Sequence, residues 1–185
     1  MILKSFEINK VNLKIHKFLL FYGKNDGYKN EEINKIKEKF NTIEKFDEKK
    51  VLDDTENFYK QITTGSLFDK DKLIIISQTT DKIVNIITDL FEKNIEDITI
   101  ILNSEILEKK SKLRNFFEKN TNTIIVPSYE DNNQTLIYLA QNFLKNKKIK
   151  ISHQNINFII ERSKGSRINL KNELEKIASY SEKKL

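Results

Sequence analysis

The chain has no cysteine, no tryptophan, one proline, one methionine and four glycines among its 185 residues. Without cysteine there is no disulfide, no thiol nucleophile and no Cys-ligated zinc site. The two histidines, His16 and His153, stand far apart, so no metal centre is expected. So little proline and glycine excludes collagen-like and low-complexity architectures and predicts a globular, helix-rich chain. No apolar run approaches the roughly 20 residues that cross a bilayer, and "MILKSFEINKVNLKIHK" carries too many charges for a signal-peptide core, which predicts a cytosolic protein with no membrane partner. Arginine is also scarce, with three (Arg114, Arg162, Arg167) among 33 basic residues. The formal net charge of +6 points toward a nucleic-acid partner. The lysines nevertheless interleave with acids in "EEINKIKEKF" and "ELEKIASYSEKK", the pattern of solvated helix faces with i to i+4 pairs.

What is present is an alternation. "KFLLFYG" (17–23), "TIEKFD" (42–47), "KLIIIS" (72–77), "DITIIL" (97–102) and "NTIIVP" (122–127) have strand length, and several are rich in β-branched residues. Three of them are apolar almost without alternation, as parallel strands covered on both faces are. Between them "NEEINKIKEKF", "TENFYKQIT", "TDKIVNIITDLFEKN" and "EILEKKSKLRNFFEKN" read as helices. The order β-α-β-α-β-α-β-α-β predicts a five-stranded parallel α/β domain over 1–127. After Pro127 the strands stop. "NQTLIYLAQNFLKN", "SHQNINFIIERS" and "SRINLKNELEKIASY" each carry an apolar helical face, predicting a three-helix domain over 128–185 with Ser152 and Ser166 as N-caps and Gly165 as a breaker.

The turn after the first strand is where a phosphate loop would lie. In G-x-x-x-x-G-K-[ST] the second Gly lets the backbone curl around phosphate, the Lys reaches it, and the hydroxyl holds Mg²⁺. Counted from Gly23, Lys29 takes the lysine position, but Tyr28 replaces the glycine and Asn30 the hydroxyl residue. "KLIIIS" is followed by Gln78, Thr79 and Thr80 rather than by acids for a metal. A polar βα turn, with Gly23 and Gly27 supplying backbone freedom, is expected instead, with no nucleotide or other cofactor. His16 and His153 read as surface or capping residues, and Asp53, Asp54, Glu31 and Glu32 as solvated carboxylates, so no catalytic residues are expected.

One stretch resists assignment to a core. "TTGSLFDKD" (63–71) sets Leu67 and Phe68 among small, polar and charged residues. The pair either packs under the sheet edge at the start of "KLIIIS" or projects as an anchor for a partner, where each side chain is worth roughly 1.5–3 kcal/mol on full burial.

In four places the chain resembles the delta subunit of the bacterial DNA polymerase III clamp loader: "FLLFYGKNDGYKNEEI", "TTGSLFDKDKLIII", "ITIILNSEILEKKSKL" and "GSRINLKNELEKIASY". The resemblance covers nearly the whole chain. It implies an AAA+-like domain with a degenerate phosphate loop (Gly23, Gly27, Lys29), followed by a three-helix lid. It also implies a protein with no activity of its own, a bacterial cytoplasmic subunit of the polymerase III holoenzyme, which is a DNA-directed DNA polymerase. Such a subunit grips and opens the sliding clamp (the beta subunit) so that the ring can be loaded on primed DNA. Carried over, Leu67 and Phe68 are the clamp anchors, Ser66 shapes the turn, and Gln61, Gly65 and Asp69 are neighbours. Asn103 stands near a nucleotide-sensing position of active relatives and reads as a remnant or a loop cap. The family's collar domain, through which the other loader subunits are joined, is expected to be missing after Leu185. Two alternatives stay open: an ATP-binding AAA+ ATPase built around Lys29, and a standalone DNA-binding module using lysine-rich helices.

Overall fold

The computed structural model describes residues 1–2, 11–63, 71–93 and 97–182. They form two compact units, Met1–Ser128 and Tyr129–Leu185.

In the first unit the strands are β1 (Phe18–Tyr22), β2 (Thr42–Asp47), β3 (Lys72–Ser77), β4 (Ile98–Ser104) and β5 (Thr123–Pro127). All pair in parallel, in the order β2-β3-β4-β1-β5. The helices are α1 (Asp26–Lys37), α2 (Glu48–Asp53), α3 (Thr55–Thr63), α4 (Val84–Glu92) and α5 (Lys112–Lys119), with a 3₁₀ turn, Asp81–Ile83, leading into α4. The two-residue period of a strand divides the core. Phe18, Leu20, Tyr22, Ile74, Ile76, Ile100 and Leu102 face one layer, with Phe58, Ile62, Ile87, Leu90, Leu113 and Phe117 from α3, α4 and α5. Leu19, Phe21, Leu73, Ile75, Ile101, Ile124 and Val126 face the other, against Tyr28, Ile33 and Ile36 of α1. Both faces are covered, which is why β1 reads as five consecutive apolar residues, all buried. The edge strand β2 alternates half-buried and exposed positions, and its sequence signal is correspondingly weaker.

Three local readings are corrected. The first helix begins at Asp26 rather than Asn30, because the Asn25 side chain accepts from Tyr28 N–H and caps it there. The helix expected over 105–120 occupies only Lys112–Lys119. The Ser111 hydroxyl accepts from Arg114 N–H, and the Asp81 carboxylate accepts from the N–H groups of Lys112 and Leu113, so three otherwise orphaned donors are satisfied at that start. The single helix expected over 55–63 is preceded by α2, and Asp54 separates the two with its carboxylate accepting from Asn57 N–H, a capping role rather than plain solvation.

The second unit comprises α6 (Asn133–Asn146), α7 (His153–Arg162) and α8 (Arg167–Glu182). Its core is Leu136, Ala140, Leu144, Ile156, Ile160, Leu170 and Leu174. Ser152 and Ser166 accept from the N–H groups of Asn155 and Asn169, and Gly165 takes the left-handed conformation, φ +73°, between α7 and α8. Arg167 holds Asp131 with two hydrogen bonds, from Nε at 2.8 Å and Nη2 at 2.9 Å.

Candidate functional site

The turn joining β1 to α1 is three residues long, Gly23, Lys24 and Asn25. It is tied down on several sides. Gly23 N–H donates to the Glu105 carbonyl, Asn25 N–H to the Ser128 carbonyl, and Ser128 N–H to the Tyr22 carbonyl. Gly23 has φ +123°, and a Cβ there would meet the Ser128 carbonyl oxygen at 2.3 Å, so only glycine fits. Gly27 has no such need. It lies buried in the first turn of α1 and is not among the left-handed glycines, which corrects the expectation of a flexible second glycine.

Lys29 is 1% exposed. Its ammonium donates to the Ser104 carbonyl at 2.7 Å and pairs with Asp26 at 2.9 Å. Tyr28, in place of the glycine of an intact motif, packs into the core beneath α1. A phosphate cradle offers open backbone N–H groups and an ammonium directed at the ligand. Here the Tyr28 N–H is taken by Asn25, and the ammonium is turned to the end of β4. Next to it, Thr79 and Ser104 hydroxyls share a hydrogen bond of 2.6 Å, while Asn103 Oδ1 and Ser128 Oγ are buried without a partner among the described residues. Beyond β3 a carboxylate from α2 holds the loop: buried Glu48 accepts from Thr80 N–H at 2.6 Å and from its hydroxyl at 2.9 Å. Among the described residues no three His, Asp or Glu side chains are grouped to hold a metal ion, and no helix is long and apolar enough to cross a membrane.

Gly65, Ser66, Leu67, Phe68 and Asp69 lie outside the described residues. Both flanks are described. Before them, Ile62 is buried at the end of α3 and Gln61 is exposed. Tyr59 binds α3 to α4 through Asp89, with the Lys93 ammonium 4.7 Å from its ring. Burial, with the Asp89 hydrogen bond and charge, raises its phenol well above the ordinary value. After them, Asp71 takes a left-handed φ of +76° and pairs with Lys17 at 3.4 Å. Lys72, 4% exposed, donates to the Gln61 carbonyl at 3.1 Å and pairs with Glu44 at 2.6 Å. A buried ammonium thus fastens the end of α3 to the start of β3 and to the edge strand. Sequence reasoning named Gln61 and missed Lys72; a lysine opening an otherwise apolar strand was the available signal.

No protein-family model matches the chain, and no curated protein sequence does. Solved structures do. The Bacillus subtilis DNA clamp loader delta protein superposes with a TM-score of 0.63 at 16% identity, over 95% of this chain and 57% of its own. A replication initiator DnaA, in complex with AMPPCP and single-stranded DNA, gives 0.59 at 14% identity over 94% of this chain and 58% of its own. Domain III of the Thermotoga maritima replication initiation protein DnaA gives 0.50 at 14% identity, covering 97% of this chain and 82% of that one. The chain therefore spans little more than half the length of the delta protein. The fold is AAA+-like α/β, shared with these replication proteins.

Proposed function

We propose that the chain is a clamp-loader delta-type subunit that binds the sliding clamp and helps open the ring for loading onto primed DNA, without hydrolysing ATP. The observation that carries this reading is the closed β1–α1 turn. In an AAA+-like fold it fills the place of a phosphate cradle with Lys29, held by Ser104 and Asp26. A protein with this fold and such a turn acts by differential binding: gripping the open or strained ring more tightly than the closed one shifts the ring's population by that difference. The similarity to a clamp loader delta protein over 95% of this chain supports the assignment.

In this reading Leu67 and Phe68 are the clamp anchors, Ser66 shapes their turn, and Gln61, Gly65 and Asp69 flank them. Lys72 and Asp71 hold the base of the segment. The two units are an AAA+-like domain and a lid, the setting is the bacterial cytoplasm, and the other loader subunits and the polymerase III holoenzyme are the wider partners. Calorimetric titration of the chain, and of Leu67→Ala/Phe68→Ala, into the sliding clamp of the same source tests it. The expected result is binding by the parent and at least a hundredfold loss in the double variant, with melting nearly unchanged, since two anchors of roughly 1.5–3 kcal/mol each are removed. Equal binding by both proteins, or a large loss of stability in the variant, overturns the anchor assignment.

A further inference from the structure

The division of charge between the units is uneven. Met1–Ser128 holds 22 basic and 21 acidic residues, a balance of +1; Tyr129–Leu185 holds 11 basic and 6 acidic, a balance of +5. Nearly all of the net charge therefore belongs to the smaller unit, and within it the distribution is again uneven. The 29 residues from Asn132 to Ile160 contain no Asp or Glu, but they contain Lys145, Lys147, Lys148, Lys150 and His153. The interleaving seen elsewhere is absent from α6, the turn after it and α7 as far as Ile160, with the one acid of α7, Glu161, in its last turn.

The turn is ordered so that its lysines face out. Lys148 takes a left-handed φ of +57°, its N–H donates to the Lys145 carbonyl, and Ile149 N–H donates to the Leu144 carbonyl, closing the end of α6. Ile149 and Ile151 pack against the bundle core, and the alternation leaves Lys148 and Lys150 exposed beside the exposed Lys145 and Lys147. Gln141 of α6 and His153 of α7 lie 3.3 Å apart and join the two helices at this end. Lysines complement the dipole at a helix C-terminus. That accounts for Lys145 and Lys147, but neither for the two beyond the helix nor for the absence of acids. Apart from Thr135, Ser152 and Tyr138, the neutral polar residues of the segment are amides: Asn132, Asn133, Gln134, Gln141, Asn142, Asn146, Gln154, Asn155 and Asn157 are all exposed. Amides donate to phosphate and pair with base edges. Tyr138 and Phe158 are 68% and 60% exposed on the same two helices, and exposed rings offer stacking to unpaired bases.

We infer that the α6–α7 turn and the outer faces of its helices form a binding surface for the phosphate backbone of a nucleic acid, with Lys145, Lys147, Lys148 and Lys150 as its cations. The inference stands apart from clamp binding, and its test contains no clamp, so either can fail alone.

The test is fluorescence anisotropy of the whole chain on a labelled mixed-sequence 20-nucleotide single strand and on its duplex, from 50 to 200 mM salt. Binding to either in the micromolar range at 50 mM is expected, with log K falling against log salt at a slope of about −3 for up to four phosphates. Lys145→Gln/Lys147→Gln/Lys148→Gln/Lys150→Gln should weaken it at least tenfold and flatten the slope, with an unchanged circular dichroism spectrum. Lys49→Gln/Lys50→Gln/Lys82→Gln/Lys109→Gln removes the same charge from exposed positions of the first unit and should change affinity less than twofold. Equal weakening by the two variants, no binding by the parent at 50 mM, or binding only to vesicles with 30% phosphatidylserine would overturn the proposal.

Discussion

The two units place their polar groups in opposite ways. The first buries Lys29, Glu32, Glu48 and Lys72, together with Asn25, Thr79, Thr99, Ser104, Ser111, Thr123 and Ser128; the second buries Ser163 as its one comparable residue among those described. A parallel sheet with crossover helices leaves strand ends and helix starts that must be satisfied where water is scarce, and buried ions are tolerated only when held by several partners. Lys29 and Lys72 are held alike, each by one backbone carbonyl and one carboxylate. The bundle satisfies its backbone within its helices and by short side-chain caps, keeps an apolar core, and apart from the Arg167–Asp131 pair carries its charge outside. One unit therefore uses buried charge repeatedly to fix its own loops, while the other does so once, with Arg167 and Asp131, and presents the rest to the surroundings.

The hardest way to break this contrast is at the closed turn. Gly23→Ala combines a left-handed φ with a backbone clash and should cost at least about 3 kcal/mol, read as a shift in urea midpoint. Lys29→Met removes an interior donor; the stranded Ser104 carbonyl should cost about 1–3 kcal/mol, partly offset because no charge is left to desolvate. Neither the parent nor this variant should gain melting temperature with Mg²⁺ and ATP, and a gain in the parent would restore the ATPase alternative.

The start of α5 sharpens the contrast through pH. Burial alone would raise the Asp81 pKa, but hydrogen bonds from the Ser111 hydroxyl and from Leu113 and Lys112 N–H, with the Lys112 charge, hold it below its ordinary value of 3.8. A depressed carboxyl stabilises the fold above its unfolded pKa, and that contribution is lost as pH falls through the lower, folded value. Asp81→Ala, which removes a cap from a carboxyl that solvent partly screens, should cost about 1 kcal/mol at pH 7 and progressively less as pH falls below 3.8, which parallel denaturation curves would show. In the bundle the smallest effect is expected. Ser152→Ala removes one cap and should cost about 0.5–1 kcal/mol with no pH dependence between 5 and 8.

The strands were legible because both faces of the sheet are covered, so β1, β3, β4 and β5 announce themselves as apolar runs. The bundle was legible from its helical period. Glu32 was not: it reads as one of a solvated pair, yet it is 4% exposed and pairs with Lys35 at 2.6 Å, because α1 packs flat on the sheet and burial there depends on tertiary placement. The same holds for Glu48 and Asp81, whose partners lie about 30 residues away in sequence and follow no local pattern. The charge asymmetry was hidden differently. Averaged over 185 residues, +6 looks like compositional bias; divided at Ser128, it belongs almost wholly to the bundle. Lys29 was read at the lysine position of a degenerate phosphate loop, and only the fold shows its ammonium turned inward.

The strand order also bears on how the chain is made. β1 pairs only with β4 and β5, with Phe18 opposite Ile100 and Thr123. Emerging first among the strands, "FLLFY" has no strand partner until β4 is complete at Ser104, 82 residues beyond Tyr22. At about 5–20 residues per second it waits for several seconds with its apolar side chains uncovered. α6, α7 and α8, whose contacts are local, can close as soon as they leave the ribosome. Of the five strands β1, an interior one, thus waits longest for both of its neighbours, and it is the segment where a chaperone has the longest opportunity to act.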